Sequence, residues 1–413
     1  MILLPKGDLC GIRNRYFLNP FYLFGTIWAF IVLFYRLSLF TIYPGLSTNS
    51  FFFFAALIVG SFILGYLFDR CVLKKLSREL IRFYVAKPPL PLFFACLAFA
   101  VLGLALNRSF PLMRVLSGDI HSYGSFEIPY FNTFYVSLYV ILNLRASMSL
   151  FYGEKKHRLL SSLMVAYVYF YFFLLYSRGM ILYCLAMTML VFLSRVKLNP
   201  ARVLAVFLLV LFVAYLFSGF GNLRNGSSWS DASIVCGLAG LKGEHSYLTP
   251  FAGAVVYAET PLGNLLYNAP LPHQLTVEKL LYILLPDFLA KRLFPDLKLT
   301  LELPSPALTV GTMFAQAVTA GGTIGILIQY LEMALLFFVL PLATRKNTDL
   351  SLMVTLNLSV ISIFTVFDNL LLLWGFSFSI VLLFFVSFFY HGRHKIRKEV
   401  YQVYEMVCVN RSL

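Results

Sequence analysis

Several arginines lie where apolar segments of this sequence begin or end. Arg36 lies within the first apolar run, Arg178 lies in a short turn between two runs, Arg224 follows another run, and Arg114 lies in a polar stretch. Arginine keeps its charge and presents a planar fork of N–H donors that matches phosphate oxygens in pairs. Arginines that converge at one membrane surface therefore predict a site for an anionic group such as a lipid-linked pyrophosphate.

Each arginine also has a structural interpretation. Arg36 lies near the outer end of its run, so its side chain could reach the surface by snorkelling, although a charge within an apolar span is usually kept for function. The turn at Arg178 needs only Gly179 and polar neighbours, so the arginine is either a solvated turn residue or a functional one. Arg108 and Arg114 share these features less strongly.

Two adjacent residues, Glu244 and His245, offer a proton acceptor. Either side chain could act as general base for a sugar hydroxyl. A single histidine in a loop is also common as plain polar surface. Both interpretations stay open from the sequence.

Aromatic and acidic residues follow shortly after this pair. Tyr257 and Glu259, with Tyr267 nearby, could bind sugar rings and hydroxyls; the alternative is an aromatic belt at the membrane surface. Asp368 lies between the last two apolar runs and either orients a substrate or caps a helix.

Motifs for nucleotide or metal chemistry are missing from the sequence. It contains no Walker phosphate-binding loop, no dinucleotide-binding glycine motif, no HExxH and no cysteine cluster. Only Cys236 of the six cysteines falls in a segment expected outside the cell, so an internal disulfide is not expected. We therefore expect a reaction that uses neither a metal ion nor another cofactor.

The composition places these residues in a membrane protein. Of 413 residues, 60% are hydrophobic and 12% are charged, and the mean hydropathy is +0.81. A soluble core does not absorb so many apolar residues. The net charge of +15 comes from bases between the apolar runs, which is the pattern of membrane topology and excludes nucleic acid as the expected partner.

Ten apolar runs are long enough, or nearly so, to cross a bilayer, so the chain is predicted to be an all-α polytopic protein with about ten transmembrane helices. The segment 306–320 is read as a surface or re-entrant helix that leads into the eighth run. The ten runs are 21–42, 51–68, 90–106, 130–144, 159–176, 180–194, 203–220, 322–342, 351–367 and 370–390.

Lysine and arginine fix the expected orientation. With both termini in the cytoplasm, inside segments hold 23 of the 33 bases and outside segments hold 9. The segment 219–309 is then one long outside, periplasmic loop, cut by prolines into short interfacial helices. Residues 1–413 are expected to form a single integral membrane domain in the plasma membrane. Arg145 marks the inner end of the fourth run.

Three segments resemble the Wzy-type O-antigen polymerases, also called oligosaccharide repeat-unit polymerases. The segment 176–180 (Tyr-Ser-Arg-Gly-Met) is similar to that family's Ser-Arg-Gly turn at the start of an apolar helix. The segment 258–265 (Ala-Glu-Thr-Pro-Leu-Gly-Asn-Leu) is similar to its small-Pro-x-x-Asn-Leu segment. The segment 309–325, ending in Gly-Gly-Thr-Ile-Gly, is similar to its glycine-containing entry to a late helix.

This resemblance implies a metal-independent glycosyltransferase with a GT-C-like architecture in a bacterial inner membrane. Its substrates would be undecaprenyl-pyrophosphate-linked oligosaccharides at the periplasmic face, and the growing chain would be moved onto a new lipid-linked unit. The family's outside arginines correspond here to Arg178 and Arg224. Membrane lipid and a chain-length regulator, the polysaccharide co-polymerase, would be the other partners.

The resulting hypothesis assigns roles to the residues above. Arg178 and Arg224, with Arg36 and Arg114, hold the pyrophosphate; Glu244 or His245 takes the proton; Tyr257 and Glu259 bind sugar. An O-antigen ligase of nearly the same architecture, which needs a loop histidine, is the second hypothesis. A lipid-linked oligosaccharide flippase and a structural membrane subunit are the others.

Overall fold

Long apolar helices make up most of the chain. The computed structural model describes residues 14–77, 86–117, 126, 128, 131–224, 226–373 and 375–385. The α-helices in these ranges are α1 (Pro20–Tyr35), α2 (Thr48–Phe68), α3 (Leu90–Asn107), α4 (Pro111–Leu116), α5 (Asn132–Tyr152), α6 (Arg158–Leu174), α7 (Arg178–Arg195), α8 (Pro200–Arg224), α9 (Ser233–Ala239), α10 (Ala252–Asn268), α11 (Val277–Leu284), α12 (Asp287–Leu293), α13 (Ala315–Thr344), α14 (Thr348–Phe364) and α15 (Gly375–Phe385).

Seven of the described helices are long and apolar enough to cross a membrane, and α1, α14 and α15 are apolar but shorter. The chain is therefore an all-helical, multi-pass membrane protein, as the composition predicts. The seven segments are Thr48–Ser77, Leu90–Val115, Asn132–Tyr152, Lys155–Leu174, Arg178–Arg195, Pro200–Leu223 and Ala315–Thr344. The total of ten spans and the cytoplasmic placement of both ends stay predictions.

The first helix is shorter than its apolar run predicts. α1 ends at Tyr35, and Ser38 takes a left-handed backbone conformation with φ of 50°. Residues 39–43 are mostly apolar but not helical, and Leu39 and Phe40 are buried against the rest of the bundle. The prediction of a span over 21–42 is therefore wrong beyond Tyr35, and so is the placement of Arg36 inside a span.

α5 is the central helix, and most of its residues are buried. The fourth run was expected to end at 144 with Arg145 at its edge. Instead α5 continues to Tyr152, and Arg145 is buried in an ion pair with Asp349 at the start of α14. Buried polar groups in a membrane need partners, and the Asn143 amide donates to the Cys184 carbonyl at 3.0 Å. Polar residues in this apolar run therefore mark helix contacts.

Two ends of the bundle can be told apart by contacts. At one, the Asn14 end, Arg15 pairs with Asp69 after α2 at 3.4 Å, and the Asn14 N–H donates to the Ser194 carbonyl near the end of α7 at 3.2 Å. At the other, the Arg178 end, α7 begins and α8 finishes. The starts of α1 and α8 therefore lie at the Asn14 end, and the long segment after α8 lies at the Arg178 end.

The segment expected to be a loop of interfacial helices contains a buried helix. α8 runs to Arg224, and α9, a 3-10 segment (Gly243–Phe251), α10, α11 and α12 follow. Thirteen of the 17 residues of α10 are buried, and Pro261 lies inside that helix. The motif at 258–265 therefore belongs to the protein core at the Arg178 end, with α11 and α12 as the shorter pieces around it.

α13 begins later than expected and contains a break. Residues 306–314 are not helical, and the helix starts at Ala315, so only the second half of the predicted 306–320 helix is confirmed. Gly322 has a φ of 56°, and a Cβ built there would lie 2.9 Å from the His273 ring. Glycine is required at this position because its φ is positive and because a side chain would collide with the His273 ring. The short piece 315–320 thus leads at an angle into the rest of α13.

Candidate functional site

The turn before α7 places Arg178 at the first position of a helix. Tyr176 has a left-handed backbone with φ of 54°, a conformation that costs about 1–2 kcal/mol for a non-glycine residue. Its hydroxyl donates to the Phe220 carbonyl at 3.3 Å, which helps to hold the turn. Gly179, which we expected to make the turn, lies instead in the first turn of α7, and no atom lies within 4 Å of a Cβ built on it. Open space therefore adjoins the start of the helix.

The Arg178 guanidinium lies against aromatic rings of two other helices. Its Cζ is 4.5 Å from the Phe217 ring centre on α8 and 5.8 Å from the Tyr257 ring centre on α10. Nη1 donates to the Phe217 carbonyl at 3.2 Å, and the two rings pack edge to face at 5.1 Å. Cation–π contacts of this kind hold a guanidinium in one plane. Arg178 and Tyr257, predicted as pyrophosphate and sugar ligands, are thus brought together.

Gly221 leaves room for this arginine. A Cβ at position 221 would lie 2.7 Å from Arg178 Nη1, so any side chain there would push the guanidinium aside. α8 continues for less than one turn beyond Gly221 to Arg224. The placement of the Arg224 side chain lies outside the described part of the chain, so its contact with the same anion stays a prediction.

The start of α7 adds to the attraction for an anion. The first four N–H groups of an α-helix have no partner within the helix, and its dipole is positive at that end. Ser177, the residue before α7, gives no side-chain hydrogen bond to these groups. A fixed guanidinium, a helix start and open space beside Gly179 together form a place where a phosphate group can bind.

Glu259 lies on another face of α10. It is 1% exposed, and its Oε1 accepts a hydrogen bond from the Leu39 N–H at 3.4 Å. Beside it, the Tyr43 hydroxyl donates to Thr260 Oγ1 at 2.9 Å. The expected contact of Glu259 with sugar stays a prediction, while the observed contact fastens residues 39–43 to α10.

The same segment also pairs with the loop before α10. Thr41 N–H donates to the Gly240 carbonyl at 2.9 Å, and Lys242 N–H donates to the Leu39 carbonyl at 3.0 Å. Burial raises the pKa of the Glu259 carboxyl to about 8, and the Leu39 N–H and Lys242 oppose that shift. A neutral carboxylic acid is thus favoured at this joint near pH 7.

Replacing Glu259 with glutamine is expected to remove a pH dependence of stability. Because the folded protein holds the Glu259 proton up to about pH 8 and an unfolded chain releases it near 4.5, folding is weakened as pH rises between these values. We expect Glu259→Gln to unfold like the parent near pH 5 and to be more stable than the parent at pH 9, by thermal unfolding in detergent. Exposed Glu278→Gln is the control, and a parallel pH profile for both variants would contradict the assignment.

Glu244 and His245 lie next to Lys242. His245 N–H donates to the Lys242 carbonyl at 2.9 Å, and His245 Nε2 is 3.4 Å from Glu244 Oε1. Glu244 is largely exposed, whereas the buried His245 Nδ1 has no hydrogen-bond partner among the described residues. A buried polar atom in this state lacks the hydrogen bond that most such atoms make, which an ordered water molecule or a ligand group would supply.

Arg36 and Arg114 have contacts of their own. Arg36 follows α1, is exposed, and its guanidinium lies 5.4 Å from the Phe51 ring centre, which fits the snorkelling interpretation. Arg114 donates from Nε to Ser109 Oγ at 2.8 Å and from Nη2 to the Asn107 carbonyl at 2.6 Å. These bonds close the corner between α3 and α4. A role of either arginine in anion binding stays a prediction.

Sequence reasoning missed the residues that connect α10 to the segment before α13. Asn264 Nδ2 donates to the carbonyls of Leu308 and Val310 at 2.8 and 2.9 Å, and Asn268 Nδ2 donates to the Glu302 carbonyl at 2.8 Å. A spacing of four residues between polar groups in an apolar helix was the available signal, because such residues share one face. Asn264, the asparagine of the 258–265 motif, thus holds the non-helical segment that precedes α13 against α10.

The contacts around Arg178 and Tyr257 define the candidate site, with α7, α8 and α10 each contributing one wall. Glu259 and Lys242 form a second group with Leu39, and the His245 N–H is bonded to the Lys242 carbonyl. No family model, no curated protein and no solved structure matches the chain.

Proposed function

We propose that this chain is a Wzy-type polymerase, a membrane glycosyltransferase that joins undecaprenyl-pyrophosphate-linked oligosaccharide repeat units into O-antigen or a related surface polysaccharide. The observation that supports this proposal is the Arg178 guanidinium, held at the start of α7 against the Phe217 and Tyr257 rings. Its open side at Gly179 suits a pyrophosphate at the membrane surface. The proposal includes a GT-C-like architecture, the inner membrane, and the periplasmic face for the Arg178 end.

The lipid part of such a substrate has a path to this arginine. α8 exposes apolar side chains along most of its length, and the same helix ends with Phe217 and Gly221 against Arg178. A polyprenyl chain in the bilayer can therefore follow the surface of α8 while its pyrophosphate lies at the start of α7. The glycan attached to the pyrophosphate would then extend over Tyr257 towards the aqueous side.

The reaction moves the growing glycan from its lipid carrier to a new unit. A hydroxyl of the new unit attacks the anomeric carbon of the donor, the bond from that carbon to the pyrophosphate oxygen breaks, and undecaprenyl pyrophosphate leaves. Arg178, with Arg224, stabilises the charge that the leaving group gains. The hydroxyl proton passes to Glu244 or His245, the adjacent acid and imidazole whose Oε1 and Nε2 lie 3.4 Å apart.

One observation favours a second function. The pair of Glu244 and His245 at 3.4 Å gives the loop histidine that an O-antigen ligase requires. A ligase would bind the same lipid pyrophosphate but would transfer finished polymer to a lipid core. The arginine site is therefore equally suited to a polymerase and to a ligase. The two functions differ in the acceptor, which is a new repeat unit for the polymerase and a lipid core for the ligase.

Deletion of the gene, followed by electrophoresis of the surface glycan, tests the function. Loss of the polymer ladder, with lipid core carrying one repeat unit, is the result expected for the polymerase. Bare core together with accumulated lipid-linked polymer would instead assign the ligase. Absence of both polymer and capped core, with lipid-linked units trapped on the inner face, would overturn both and assign a transporter. Restoring the gene should restore the ladder.

A further inference from the structure

Two recesses adjoin at the Asn14 end of the bundle. One, of about 620 Å³, is lined by the turn before α8 and by the apolar side chains of its first two turns. The other, of about 510 Å³, is lined by Asn14 to Phe17, Tyr22 and Asp69. Leu198 lines both, so together they form one groove with an apolar half and a polar half. This groove lies at the opposite end of the molecule from Arg178.

The apolar half faces the membrane interior. Val203, Leu204 and Phe207 are each more than half exposed, and they lie within about 10 Å of the start of α8 at 1.5 Å per residue. Side chains of this kind are stable in contact with hydrocarbon and not with water. An acyl chain that runs along the first turns of α8 would cover them.

The polar half contains one cation, and two more lie on the adjoining turn. Arg15 lines it directly, with a 40% exposed side chain in an ion pair with Asp69. Lys197, beside Leu198, is exposed, and Arg202 Nη1 donates to the Lys197 carbonyl, which holds that guanidinium against the same turn. Among the described residues, Arg15 is thus the base that lines the recess, while Lys197 and Arg202 belong to the turn that contributes Leu198 to it. The positive end of the α8 dipole adds to their field, so an anion is attracted to the turn.

We propose that this groove binds an anionic phospholipid. The phosphate of its headgroup lies at Arg15, Lys197 and Arg202, and one acyl chain lies along Val203 to Phe207. The order of polar and apolar parts in the groove is the order of phosphate and hydrocarbon in the lipid. A zwitterionic lipid presents a cation beside the phosphate and is therefore bound less well. The proposal does not depend on the proposed transfer reaction, because Arg15, Lys197 and Arg202 are not among the residues assigned to pyrophosphate, proton transfer or sugar, although both lipids would lie on the apolar surface of α8.

Quenching by brominated lipids measures the occupant of the groove. The full chain carrying Phe207→Trp is placed in phosphatidylcholine vesicles that contain increasing fractions of acyl-dibrominated phosphatidylglycerol or dibrominated phosphatidylcholine. We expect the added tryptophan emission to be quenched at a severalfold lower fraction of the phosphatidylglycerol. Adding Lys197→Gln and Arg202→Gln should lower that preference about tenfold or more, since each cation near a membrane surface contributes about fivefold. Arg15 is kept, because its loss would leave Asp69 unpaired.

A second tryptophan position serves as the control. It distinguishes lipid binding in the groove from a general enrichment of anionic lipid around the basic end of the protein. Leu335 on α13 faces lipid and lies one turn before Phe338, whose ring contacts Phe21 and Phe68 at the Asn14 end. Leu335→Trp should be quenched equally by the two lipids. Equal quenching at position 207, or the same preference at both positions, would overturn the proposal. A double variant that keeps the parent's thermal stability but not its preference would support it.

Discussion

Arg178→Ala is expected to reduce polymer formation by about 10²–10³-fold, the usual effect of removing one donor from a site that stabilises developing charge. The guanidinium is held by two rings and a carbonyl, so its position in the free protein is already that required for binding. Its loss leaves the leaving pyrophosphate with less stabilisation while the helix start remains. The measurement is glycan length and yield in cells that lack the native gene and express each variant at equal level.

Two further variants sharpen this result. Arg178→Lys keeps the charge, but an ammonium does not stack on both rings or bind two oxygens in one plane, so most activity should still be lost. Arg70→Ala is the matched control, because the Arg70 guanidinium also lies over a ring, at 4.6 Å from the centre of Tyr66, but belongs to the Asn14 end. Polymer of normal length and yield from Arg178→Ala would remove this arginine from the mechanism.

Breaking the buried pair of Arg145 and Asp349 is expected to lower the free energy of unfolding by about 3–5 kcal/mol. The two side chains are only 8% and 12% exposed, and they join the central helix α5 to the start of α14. Removing either partner leaves the other charge without its ion-pair partner at a largely buried position. Arg145→Met and Asp349→Leu should each show this loss when helical signal is followed against added denaturing detergent.

Combining the two changes tests whether the loss belongs to the pair. The double variant should recover most of the stability, since an apolar pair of similar volume replaces a desolvated ion pair. The exposed pair of Lys156 and Glu154, at 2.7 Å, is the control, and Lys156→Met should cost no more than about 1 kcal/mol. Additive losses in the double variant would show that the charges act separately.

The helices were largely predictable, and their ends were not. Each predicted run overlaps an apolar helix, because hydropathy over about 20 residues reports what a bilayer accepts. Hydropathy does not distinguish a span from apolar chain buried by other helices, which explains the wrong end of α1 at residues 39–43. The same limit hid α10, whose residues were assigned to the membrane surface although most of them are buried in the core.

The residue types of the candidate site could be predicted from the sequence, but the contacts between those residues could not. The position of Arg178 between two runs indicated an arginine at a membrane surface, and in the structure Arg178 is the first residue of an apolar helix. Phe217 and Tyr257 come 39 and 79 residues later in the chain, and no local pattern connects residues so far apart. The burial of Glu259 was unpredictable for the same reason, since its partner Leu39 belongs to a segment that hydropathy assigned to the first span.

α10 carries Tyr257 and Glu259 only two residues apart, which on a helix places them on nearly opposite faces. One face covers the Arg178 guanidinium, and the other is bonded to the chain that follows α1. One helix therefore joins the contact at Arg178 to the contacts of residues 39–43. Because α10 is largely buried, the positions of the Tyr257 ring and of the chain that follows α1 are set together.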